Sequence, residues 1–137
     1  MVKNILLLVL GGGIVFIGLV VYGLNNTQVM TQSPFETPAF NQLNEKQKKE
    51  ITILCVSTAT QAEAIMEARQ KGLSREMAKK GAFYPDTTLV DMIISETWTV
   101  EIYKTTDEQK QVIDSYYTDF LNACVETRTN LYLTNQL

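Results

Sequence analysis

Hydrophobic and polar positions divide the chain into one long apolar run followed by amphipathic segments. The run Ile5 to Leu24, "ILLLVLGGGIVFIGLVVYGL", holds twenty residues without a charge. As a helix that length rises about 30 Å, the thickness of a bilayer core. A cleavable leader has a shorter apolar region, about 7–15 residues, and a small-x-small cleavage site. The best match here, Val21-Tyr22-Gly23, is poor, so residues 1–24 read as a retained transmembrane signal anchor. Lys3 precedes the run and the next basic residue is Lys46, which predicts a cytoplasmic N-terminus and an exported C-terminal domain. The triple glycine Gly11-Gly12-Gly13 raises the question of helix pairing. Val15 stands four residues beyond Gly11 and Tyr22 four beyond Gly18, so a strict Gly-x-x-x-Gly is absent. The span reads as flexible rather than as a dimerisation face.

Residues 25–40, "NNTQVMTQSPFETPAF", carry one charge and two prolines among small polar residues and read as a flexible linker. Residues 41–137 then show helical periodicity. Asn44 and Gln47 make a capping box, and Ile51, Leu54, Cys55, Thr58, Ala62, Ile65 and Met66 recur on one face. Gly72 closes this helix, predicted over 45–71. Ser74 opens a short second helix that ends at Gly81, and "FYPD" is a loop. Asp86 or Thr87 caps a third helix carrying Leu89, Val90, Ile93, Ile94 and Trp98. "TVEIY" reads as a short extended link. Thr105 and Glu108 form another capping box for a helix over 106–131, with Val112, Ile113, Tyr116, Phe120, Ala123, Cys124 and Leu131 inside. The predicted fold is all-α: an N-terminal transmembrane helix, a linker, then a small bundle of three longer helices and one short one.

Composition removes most chemistry. The chain has no histidine, which excludes Ser-His and Cys-His catalysis, histidine metal sites and histidine pH sensing. Two cysteines are too few for a four-thiolate zinc site. Cys55 and Cys124 fall on the inner faces of two helices, and in an exported domain they predict a structural disulfide. Free buried thiols or a redox pair are the alternatives, although redox pairs usually sit close in sequence, as in C-x-x-C. Glu63 with Glu67, or Asp91 with Glu96, could be drawn as acid pairs, but a solvated helix face explains them more simply. No phosphate loop or metal cluster is present in the sequence. The expectation is no enzyme, no cofactor, no metal and no small-molecule substrate.

The net charge of −3 gives no reason to expect a nucleic-acid partner. Its distribution is uneven. Residues 46–80 hold eight basic residues against four acidic ones, a net of +4. Residues 81–137 hold nine acidic residues against three basic ones, a net of −6. The stretch "EARQKGLSREMAKKG" gathers Arg69, Lys71, Arg75, Lys79 and Lys80, with Phe83 and Tyr84 just beyond. These seven residues are the candidate partner-binding surface. The alternative is that basic and acidic helices pair inside the domain and that the two aromatics are lids on the core.

The segment "AEAIMEARQKGLSREM", preceded by Cys55 and followed by "DFLNACVETR", resembles small secreted or membrane-tethered helical proteins of gammaproteobacteria and their mobile elements. The resemblance covers roughly residues 50–128. It rests on Ile65-Met66, Arg69-Gln70, Gly72 and the two distant cysteines, and it implies a fold and a compartment rather than an activity. The all-α, single-disulfide build is also loosely similar to periplasmic immunity proteins that block amidase toxins of the type VI secretion system. The expected protein is thus a single-pass protein of the bacterial inner membrane, held in the bilayer by residues 5–24. Its periplasmic domain binds another envelope or periplasmic protein, as inhibitor, immunity or assembly factor. A periplasmic stress chaperone is the alternative.

Overall fold

A computed structural model describes residues 5–10, 13–18, 33–83 and 87–135. Ile5–Leu10 (β1) and Gly13–Gly18 (β2) run antiparallel, with Ile5 opposite Gly18 and Leu10 opposite Gly13. These segments are extended where a continuous helix over 5–24 is expected, and the rest of that span lies outside the described residues. β-branched Val9, Ile14, Val15 and Ile17 suit a strand as well as they suit an apolar helix. Among the described residues no helix is long and apolar enough to cross a membrane.

From residue 33 the chain is helical. Among the described residues five helices come after a 3-10 turn at Pro34–Glu36: α1 (Pro38–Asn41), α2 (Glu45–Gln70), α3 (Arg75–Gly81), α4 (Thr88–Thr97) and α5 (Thr106–Leu133). The capping boxes form as the sequence requires. Gln47 N–H donates to Asn44 Oδ1 at 2.9 Å, and Asn44 N–H donates back to Gln47 Oε1 at 3.0 Å. Thr105 and Glu108 repeat this reciprocal pairing at the start of α5. Thr87, not Asp86, caps α4.

The first difference from expectation beyond the apolar run is at residues 33–40, taken from the sequence as the end of the linker. Ser33 caps the 3-10 turn and Thr37 caps α1, each with proline in the first turn, where its missing N–H costs nothing. Phe40 is buried, and Phe35 meets it edge-on at 5.5 Å between ring centroids. The prolines here open helical turns instead of keeping the chain loose.

α2 and α5 form the spine and run antiparallel. Glu50 accepts from Tyr132 Oη at 2.6 Å near one end, and Cys55 is bonded to Cys124 with Cα atoms 5.5 Å apart. Ala62, Ile65 and Met66 pack with Val112 and Tyr116 toward the other end. α3 and α4 are the crossover between the two long helices. They close the upper core through Ala82, Val90, Ile93 and Ile94. The lower core holds Phe40, Leu43, Ile51 and Val125 around the disulfide. Leu54, placed inside by its spacing, is 40 % exposed, and Ala59, next to the expected Thr58, is buried.

Candidate functional site

The sequence-derived surface centres on the reversal between α2 and α3. Gly72 has φ of 74°, the left-handed conformation that favours glycine. Leu73 N–H donates to Ala68 O at 3.0 Å and Gly72 N–H to Arg69 O at 2.9 Å, the paired bonds of a Schellman cap. Ser74 then caps α3 by accepting from Met77 N–H at 3.2 Å. The chain doubles back within three residues, which brings Arg75 to Trp98, just past α4, and Lys79 to Asp91 in the first turn of α4.

At Trp98 one arginine of α2 and one of α3 converge. The Arg69 guanidinium lies 5.5 Å from the indole centroid and that of Arg75 lies 6.0 Å from it. Arg69 Nε also donates to Val100 O at 3.2 Å. Arg69 is thereby fixed, tying α2 to the link after α4. Lys71 pairs with Glu67 at 2.6 Å on its own helix, and Lys79 pairs with Asp91 of α4 at 2.6 Å. Lys80 is exposed on α3. Phe83 is 69 % exposed although its N–H is anchored on Gln61 Oε1 at 2.9 Å, so it is not a lid on the core. Tyr84 lies outside the described residues.

The structure adds two residues that the sequence pattern did not single out for a site. Met77 on α3 is 57 % exposed, an apolar side chain open to contact as Phe83 is. Gln70 is buried and locks the link after α4. Its Nε2 donates to Glu101 O, and its Oε1 accepts from Tyr103 N–H, both at 2.9 Å. A shallow groove of about 260 Å³ runs between α3 and α4, lined by Arg75, Glu76, Lys79, Asp91, Ile94 and Ser95. An alternating set of two cations and two carboxylates over an isoleucine suits polar contact with a side chain rather than capture of a charged small molecule.

One titratable group stands apart. Burial, with the Asp119 charge second, pushes Glu96 up from 4.5 to about 7. No cluster of three or more His, Cys, Asp or Glu able to hold a metal ion occurs among the described residues.

Comparison with protein-family models, with curated proteins and with solved structures finds no match to this chain.

Proposed function

We propose that the chain is a non-catalytic, membrane-tethered protein-binding module of the bacterial periplasm, an inhibitor, immunity or assembly factor for an envelope protein. The observation that carries this reading is the α3 face. Exposed Met77 and Lys80 share one side of α3, and exposed Phe83 follows two residues after its end. Apolar anchors among long cations are the composition of an interface core and its rim.

The anchor is supported by the twenty uncharged residues and by Lys3 close before them, with no basic residue after them until Lys46. An open two-stranded hairpin leaves edge N–H and C=O groups without partners in hydrocarbon, whereas a helix satisfies its own, so in a bilayer this run is helical. With the helical domain starting at residue 33, only residues 25–32 remain as tether. Eight residues span at most about 28 Å at full extension, so the domain works close to the membrane surface. The disulfide fits an oxidising compartment.

Photo-crosslinking residues introduced at Met77 and Phe83 test the face, with Asn122 on α5 as the comparison. The expected result is one envelope protein joined through the first two positions and not through Asn122. Equal labelling from all three positions would remove the α3 face as the site. The chaperone reading draws on Ile53, 62 % exposed on α2, together with Phe83 and Met77. It requires apolar surface to open in acid, and Glu96 acts in the opposite sense because acid neutralises it within its half-buried site.

A further inference from the structure

The outer side of α2 carries a run of β-branched residues with an opposite charge at each end. Residues 51–62 include no charged side chain, with Lys49 before them and Glu63 after them. Val56 stands seven residues from each, two helical turns, so the three side chains fall along one line of the helix. Ile53 and Thr60 fill the gaps at alternating spacings of four and three, the seam of a helix pair. The core side of α2 is a different one, with Ile51, Cys55, Ala59 and Ala62 buried. Along the seam Lys49 and Ile53 are exposed, Ile53 by 62 %, and Val56, Thr60 and Glu63 are half-buried.

The two end charges are not used within the domain. The ion pairs among the described residues are Lys46 with Glu50, Lys48 with Glu45, Lys71 with Glu67 and Lys79 with Asp91. Neither Lys49 nor Glu63 has an ionic partner there.

We propose that this seam joins two copies of the chain, α2 against α2 and antiparallel, about a two-fold axis at the level of Val56. Reversal sets Lys49 of each copy opposite Glu63 of the other, Ile53 beside Thr60, and Val56 on its own counterpart. Parallel pairing would stack lysine on lysine and glutamate on glutamate, which repulsion opposes. The seam is thus complementary to itself in one direction only, as an isologous two-fold contact requires. That self-complementarity selects a second copy as the occupant. The seam is about 21 Å long, shorter than a standard interface needs, so the dimer is reversible. It shares no residue with the α3 face and does not depend on the docking role proposed for that face.

Sedimentation equilibrium of the full chain in density-matched detergent, over a range of concentrations, tests it. A monomer–dimer equilibrium is expected. Lys49→Glu or Glu63→Lys alone sets like charges opposite each other at both ends and is expected to weaken the dimer about tenfold. The two substitutions together restore opposite charges and are expected to recover the native affinity. Both side chains reach solvent, so helical content should be the same in all variants. Monomer at every concentration, native dimerisation in both single variants, or no recovery in the double variant would overturn the proposal. A photo-crosslinking residue at Ile53, used in native membranes, gives a second readout. A joined pair of this chain is expected from it and not from Asn122 on α5. Capture of a different protein at Ile53 with no second copy would overturn the self-association.

Discussion

Gln70 in the last turn of α2 holds the backbone of the α4–α5 link at two points, accepting from Tyr103 N–H and donating to Glu101 O, both at 2.9 Å. The side chain is 4 % exposed, so neither bond is readily replaced by water. It fixes where α5 begins relative to α2. Gln70→Leu keeps the volume but leaves both backbone groups unpaired. A loss of about 2–4 kcal/mol by chemical denaturation is expected, and a change within error would show that the link is held by other contacts.

The disulfide joins residues 69 apart in sequence and sits in the lower core. Its removal frees a long loop in the unfolded chain, worth about 4 kcal/mol in the entropic description. Cys55→Ser with Cys124→Ser is expected to lower the midpoint of thermal unfolding by about 15 °C or more. An unchanged midpoint would mean that the bridge does not staple this core.

Phe40 carries the segment before α2 into that same core. Phe40→Ala is expected to cost about 3–5 kcal/mol, the usual range for a buried phenylalanine. The same variant should increase protease cleavage between residues 33 and 44. If stability and cleavage are both unaffected, the segment is a tether after all.

Stability should also depend on pH through Glu96. Between about 4.5 and about 7 the folded chain holds a proton there that the unfolded chain has released. Stability therefore falls as pH rises. The contribution is fully present below about 4.5 and is lost as pH rises through about 7. The raw shift corresponds to about 3 kcal/mol, and solvent screening of this partly exposed side chain reduces it to about 1 kcal/mol. Urea denaturation at several pH values should show this slope in the native chain and a flatter one in Glu96→Gln. Equal slopes would assign the pH dependence to other groups.

Local signals carried most of the helical domain. Asn44 with Gln47, Thr105 with Glu108, Ser74 and Gly72 each fix a helix end through short-range bonds, so they are legible from spacing alone. The inward positions of Cys55 and Cys124 followed from the helical period, and their pairing completed it. Pro34 and Pro38 were misleading because proline marks the first turn of a helix as readily as a linker. The basic turn was legible as a cluster, but its internal division was not. Arg69 is bound to Val100 O, and Lys79 pairs with Asp91, each through a residue of another element. The upward shift of Glu96 comes first from burial, which depends on packing that no spacing within α4 reveals.

The most direct measurement of the docking claim is quantitative co-purification of the full chain from its native membranes, for the unaltered sequence and for Met77→Asp with Phe83→Asp. A single envelope protein should accompany the unaltered chain and fall at least about tenfold with the double variant, while helical content is unchanged. Many unrelated proteins retained equally by both chains would contradict a binding module that acts through α3.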